Sequence, residues 1–279
     1  MPELPEVQTV LAGIEPVLVG KKIERISTHR ADVRVPFPDR LHELEGHIIH
    51  SLTRRAKYIL IHIADYILVL HLGMSGRVTI EHDLRNYALK KHDHMDLLMQ
   101  DGTGIVFNDP RRFGMVLLVK KGEIQVHPSF RSIGPEPLSR NFTGKILHAA
   151  LRKKKTAIKV ALLDQRLVAG VGNIYACEAL YAAGIDPQRT AGSLTPKQTD
   201  ALVLAVKDVL KRAIAAGGSS LKDYRKSDGT LGYFQHGFAV YDREGQACPK
   251  GKTGATKGHI IKRITQAGRS TFYCPFCQK

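Results

Sequence analysis

The residues best suited to chemistry open the chain: Met1-Pro2-Glu3-Leu4-Pro5-Glu6-Val7. A small residue at position 2 lets an aminopeptidase remove Met1, which leaves Pro2 as a free secondary amine. An α-amino group titrates at roughly pH 7–8, so part of it is nucleophilic at neutral pH. Attack by a secondary amine on a sugar aldehyde carbon gives an iminium that is charged without taking up a proton. Glu3 stands next to it as an acid/base partner. An ordinary chain start uses the same residues, so the rest of the sequence must decide.

Several further clusters carry chemistry at lower specificity. Thr53-Arg54-Arg55-Ala56-Lys57-Tyr58 puts a cationic group at the head of an apolar strand, either a solvated strand end or a lysine set against a bound polyanion. His71-Leu72-Gly73-Met74-Ser75-Gly76 flanks a methionine with glycines, as a core plug or as an apolar wedge for a base stack. Asn108-Asp109-Pro110-Arg111-Arg112-Phe113-Gly114 offers two arginines and an aromatic on a Pro/Gly-bounded turn, which would fill the hole left by an extruded base or simply turn the chain. Gly170-Val171-Gly172-Asn173-Ile174-Tyr175-Ala176 places glycines and an asparagine at a helix start, where backbone N–H groups and the helix dipole bind phosphate. A tight turn capped by Asn173 accounts for the same residues. Lys153, Lys154, Lys155 and Lys159 add positive charge nearby.

Three of the four cysteines, Cys248, Cys274 and Cys277, fall at the chain's end, and Cys274-Pro275-Phe276-Cys277 is a CxxC of zinc-knuckle type. A second CxxC is incomplete, because position 251 is glycine. His259 is the one nearby residue able to complete a tetrahedral set, Cys248-x10-His259-x14-Cys274-x2-Cys277. Cys177 lies alone in an apolar helical stretch and reads as core.

These groups need elements to position them. The 279 residues suit two domains with a small appendage, and 43% hydrophobic content supplies their cores. The net charge of +16 calls for a polyanionic partner, with nucleic acid first and a membrane surface second. No apolar run approaches the roughly 20 residues of a spanning helix, and no signal peptide is evident. A cytoplasmic location is expected. Residues 5–20 carry Val7, Val10, Leu11, Ile14 and Leu18 on one helical face. Short β-type runs follow at 23–27, 58–63, 67–72, 77–80, 95–99, 105–108 and 115–119, with a hairpin at Asp101-Gly102. Many strands without helices between them predict an antiparallel sandwich or barrel over about residues 1–130. Beyond Gly134-Pro135 the pattern is helical, and its clearest helix begins at Thr195-Pro196 and stops at Gly217-Gly218. Residues 217–237 read as a loop. The tail 238–279 is too short to hold itself together without a staple.

In their order and over the full length, these motifs resemble the bacterial formamidopyrimidine-DNA glycosylases. Leu4 favours this family over the pyrimidine-specific endonuclease VIII, which is similar but has glycine there. The resemblance implies an α+β multidomain chain: an N-terminal antiparallel β-sandwich (1–132), a helix–two-turn–helix domain (133–224), a lesion-recognition loop (225–237) and a zinc-finger hairpin (238–279). It implies a monomer that excises oxidised purines from double-stranded DNA held between its halves and cuts the strand by β,δ-elimination. Pro2 would be the nucleophile, Glu3 its proton donor, Lys57 a participant in β-elimination and Arg269 in δ-elimination. His92, Arg111, Lys154 and Asn173 would contact DNA, and Met74, Arg111 and Phe113 would fill the vacated stack. One zinc ion is implied, on Cys248, His259, Cys274 and Cys277, although the family uses four cysteines. Without the metal, the hairpin would still present Arg269 if packing of Ile260, Ile264 and Phe272 held it. A DNA-binding protein without activity and a glycosylase for oxidised pyrimidines are the alternatives.

Overall fold

A computed structural model describes residues 1–219, 227, 230, 232–252 and 258–279. Most of residues 220–231 and part of the Cys248–Gly258 insert therefore lie outside the described residues. The chain divides into two units, Met1–Ser132 with Ala216–Tyr233, and Ile133–Ala215 with Phe234–Lys279.

The first unit begins with helix α1 (Leu4–Leu18), whose buried face is Val7, Val10, Leu11, Ile14 and Leu18. Pro5 stands in its first turn, where a missing N–H costs nothing. Eight strands follow among the described residues: β1 (Ile23–Thr28), β2 (Ile49–Arg55), β3 (Tyr58–Ile63), β4 (Tyr66–His71), β5 (Arg77–Glu81), β6 (Asp93–Met99), β7 (Gly104–Asn108) and β8 (Met115–Lys120). They form two antiparallel four-stranded sheets, ordered β1-β6-β7-β5 and β2-β3-β4-β8. Residues of both sheets and of α1 share one buried cluster, including Ile23, Leu52, Ile61, Leu70, Leu97 and Phe107. This is a sandwich, with α1 contributing to its core.

Strand β2 departs from the sequence reading, which assigned the Thr53–Tyr58 stretch to the head of one strand. The stretch instead ends β2, turns at Ala56-Lys57 and begins β3, with Arg55 paired to Tyr58. β2 buries only Ile49 and Leu52 firmly, so its apolar signal is weak.

The second unit holds α2 (Gly144–Leu151), α3 (Ile158–Leu162), α4 (Asn173–Ala183), α5 (Pro196–Ala215) and a hairpin of β9 (Lys262–Gln266) and β10 (Arg269–Tyr273). Thr195 caps α5 through a reciprocal pair: its Oγ1 accepts from Gln198 N, and Gln198 Oε1 accepts from Thr195 N. Cys177 packs in a cluster with Val240, Cys248, Ile261, Phe272 and Cys274. Ile261 fills this core, whereas Ile260 is 46% exposed. Adjacent residues in extended chain point to opposite sides, and the backbone bridge of Ala247 with Ile260 turns Ile261 inward.

Candidate active site

Glu3 is the buried N-cap of α1, and Pro2 is buried before it, whereas Met1 is 51% exposed. Glu6 fixes this end. Its Oε2 accepts from the Glu3 N–H at 2.9 Å, and its Oε1 accepts from the Ser219 N–H and hydroxyl at 2.8 and 2.9 Å. One buried carboxylate thus ties the start of the chain to the segment that follows α5. Nothing in the spacing of the sequence pointed to Ser219 as its partner.

Lys57 sits in the two-residue turn between β2 and β3, made possible by the left-handed Ala56 (φ 52°). Its side chain is largely buried. Arg54 joins this turn to α1, with Nε donating to Gln8 Oε1 at 3.0 Å and Nη1 to Ala56 O at 2.9 Å. At the end of β4, burial first, then the Lys57 and Arg34 charges, hold the His71 imidazole down to about 4. His71 is therefore neutral at pH 7. Its Nδ1 accepts from the Gly73 N–H at 3.1 Å, so the ring hydrogen stands on Nε2 as a donor. A neutral donor beside a cationic lysine suits a phosphate oxygen. The sequence reading had not singled out His71.

Two turns carry the proposed wedge residues, and they lean on one another. Gly73 (φ +62°) approaches so closely that a Cβ there would lie 2.3 Å from the Phe113 carbonyl carbon. Asp109, fully buried, is the hub. Its carboxylate accepts from the Ser75 hydroxyl at 2.6 Å and the Gly114 N–H at 2.7 Å, and its carbonyl is 2.8 Å from His94 Nε2. The Ser75 hydroxyl accepts in turn from the Arg111 N–H at 3.2 Å. Met74 and Phe113 stand out, 39% and 43% exposed, and the Arg111 guanidinium lies 4.9 Å from the Phe113 ring centre. Large apolar side chains held out on a rigid base are what wedging requires. His92 is left-handed (φ 75°), and its carbonyl accepts from the Asp109 N–H at 3.0 Å.

In the second unit Gly172 is the N-cap of α4 and Asn173 its first residue. The Asn173 amide donates to Ser270 O at 2.9 Å and to the Tyr241 hydroxyl at 3.4 Å, so it holds β10 one residue from the exposed Arg269. Further along α4, Glu178 accepts from the N–H groups of Ala239, Val240 and Tyr241 at 2.8–2.9 Å. Burial raises its pKa against those three bonds. Lys154 lies 3.4 Å from Asp164, whose carboxyl is held below its usual range, first by the Arg166 guanidinium.

The cysteine thiols of 248, 274 and 277 lie within 4.8 Å of one another. Cys248 and Cys277 Sγ are 3.7 Å apart. Tetrahedral zinc with Zn–S bonds of about 2.3 Å sets its sulfurs about 3.8 Å apart, so this trio fits zinc. Burial, then the neighbouring thiols of Cys274 and Cys248, push Cys277 up to about 12, a cost that a dication would reverse.

Three family descriptions match along the chain: "Formamidopyrimidine-DNA glycosylase N-terminal domain" over residues 1–116, "Formamidopyrimidine-DNA glycosylase H2TH domain" over 133–225, and "Zinc finger found in FPG and IleRS" over 258–279. The chain belongs to the formamidopyrimidine-DNA glycosylase family. Among its relatives, the formamidopyrimidine-DNA glycosylase of Beijerinckia indica subsp. indica is 49% identical over 292 residues and that of Paracoccus denitrificans 51% over 288, each with 100% of both chains covered. A structure of MutM in complex with carbocyclic 8-oxo-G containing DNA is 36% identical with a TM-score of 0.88, over 100% of both chains. A complex between the Lactococcus lactis Fpg and an abasic site containing DNA is 34% identical with a TM-score of 0.89, over 99% of both. The family's finger match begins at residue 258, beyond Cys248, and takes in His259, Cys274 and Cys277.

Proposed function

We propose that this chain is a bifunctional DNA glycosylase and AP lyase that excises oxidised purines, formamidopyrimidines and 8-oxoguanine, from double-stranded DNA as a monomer. The observation that supports it most is the buried Pro2-Glu3 pair at the head of α1, held by Glu6 in a chain about half identical, end to end, to relatives named for this activity. The sandwich (1–132) supplies the chemistry and the helical domain (133–224) and finger (238–279) grip DNA; the lesion-recognition loop assigned to 225–237 begins in residues that lie largely outside the described ones. Work on DNA in a bacterial cell is work in the cytoplasm, the location we assign; no described helix is long and apolar enough to cross a membrane.

In this reading Met74 and Phe113 enter the base stack and lower the cost of extruding a weakened pair, a few kcal/mol. Arg111 fills the vacated space beside Phe113, and His92 and Lys154 hold the backbone. Once Met1 is removed, the Pro2 nitrogen bonds to the sugar C1′ as the C1′–base bond breaks, and the base leaves with that electron pair and a proton. Glu3 donates the proton that opens the sugar ring, which leaves an iminium. The cation acidifies the C2′ protons. Loss of one, with Lys57 taking part, expels the 3′ phosphate, and a second elimination assisted by Arg269 expels the 5′ phosphate. Cys248, Cys274 and Cys277 would hold zinc, which supplies no chemistry to the reaction and fixes the hairpin that carries Arg269.

Borohydride reduction is the direct test. Wild type should be trapped covalently on a duplex containing 8-oxoguanine, and Pro2→Gly should lose most of the adduct. Trapping that persists through a lysine overturns the assignment of Pro2. The altered finger favours one second reading, a DNA binder without activity, which would shift the duplex and leave it uncut. Faster cutting of thymine glycol than of 8-oxoguanine would instead make the substrate an oxidised pyrimidine.

A further inference from the structure

The finger keeps three cysteines and lacks a fourth, and a closed structural zinc site needs four ligands. Between Cys248 and Cys274 the sequence contains one histidine, His259, and no cysteine, aspartate or glutamate. The fold brings this residue to the edge of the trio, beside Cys277; the ligand atoms that already lie within 4.8 Å of one another are the three sulfurs, so zinc would draw the imidazole in to close the site. Ala247 and Ile260 form a backbone bridge, and the Cys248 N–H donates to His259 O at 2.8 Å, which aligns the two residues side by side. The imidazole is stacked on Phe276, inside the CxxC knuckle, with ring centres 4.2 Å apart and 16° between planes. That stack sets the ring so that Nδ1 lies 3.7 Å from Cys277 Sγ. With Zn–S of about 2.3 Å and Zn–N of about 2.0–2.1 Å, a tetrahedral site places N and S about 3.6 Å apart.

Tyr181 also meets the trio through a polar atom, and its geometry differs. Its hydroxyl is 3.1 Å from Cys248 Sγ and accepts from the Lys250 N–H at 3.2 Å. A phenolate sharing zinc with that sulfur would stand about 3.6 Å away, so 3.1 Å is a hydrogen bond to sulfur. Tyr181 thus orients and stabilises the Cys248 thiolate from α4, as outer partners of metal ligands do.

Resting on the reading of this tail as a zinc finger, we infer that His259, through Nδ1, replaces the missing cysteine as fourth ligand of a Cys3His site, with Tyr181 as hydrogen-bond donor to the Cys248 sulfur. The full-length protein should contain one zinc per chain. Cobalt(II) substituted for it should give the intense visible bands of a tetrahedral site. His259→Ala should weaken zinc retention against a chelator by more than about 10-fold and alter the cobalt bands. His259→Cys should restore retention and shift those bands to the red as a fourth thiolate enters. Tyr181→Phe should leave the band pattern unchanged and weaken retention by a smaller factor. If His259→Ala keeps both the zinc and the cobalt spectrum, His259 is not a ligand; a changed spectrum in Tyr181→Phe would give that place to the phenol. A wild-type protein that holds no zinc would overturn the finger reading itself.

Discussion

At the scale of single residues, burial decides which charged groups can act. His71 is held near 4 by burial and by the Lys57 and Arg34 charges, whereas an unfolded histidine titrates near 6.5. Between those two values the unfolded chain binds a proton that the folded one refuses. Stability of the first unit should therefore be independent of this group above pH 6.5 and fall by about 1–3 kcal/mol as pH drops to 4. Urea titrations of wild type and His71→Asn across pH 4–8 check this, and parallel curves would refute it. Lys154 and Arg111 should separate in a salt titration of non-specific DNA binding. Arg111→Ala should reduce the salt slope by about 1. Lys154→Ala should reduce it by less, because Asp164 at 3.4 Å already offsets part of that charge.

At the scale of elements, the proposed wedge of Met74 and Phe113 stands on two turns that support each other. Asp109→Ala leaves the buried Gly114 N–H and the Ser75 hydroxyl without their acceptor, at a cost of about 2–4 kcal/mol. Gly73→Ala adds a left-handed strain and drives a methyl into the Phe113 backbone, and should destabilise by at least about 2 kcal/mol. Both variants should lose affinity for lesion duplex more than for single strands, read by fluorescence anisotropy; equal losses would place the wedge elsewhere. The sequence carried much of this level. The helix of Val7, Val10, Leu11, Ile14 and Leu18 and most of the strands were legible because burial writes its period into apolar residues. β2 was not, because it buries Ile49 and Leu52 and little else. Nor was the role of Asp109, whose bonds to Ser75 and Gly114 join turns that only the sandwich brings together. Ile261 displaced Ile260 from the finger's core through a register that apolar composition alone does not encode.

At the scale of the whole molecule, an excess charge of +16 on a protein whose units are each internally braced suits a partner met by diffusion along a polyanion. Affinity for undamaged duplex should fall steeply between 50 and 200 mM salt, on the order of 10³-fold if six phosphates are neutralised. A loss of less than tenfold would mean that the charge is spread away from the binding face. Within the second unit, α4 meets the tail at three levels: Asn173 on Ser270, Glu178 on the backbone of residues 239–241, and Tyr181 on Cys248. Metal is thus one of several moorings. A hairpin moored along a whole helix keeps its seat even where one metal ligand gives way to another.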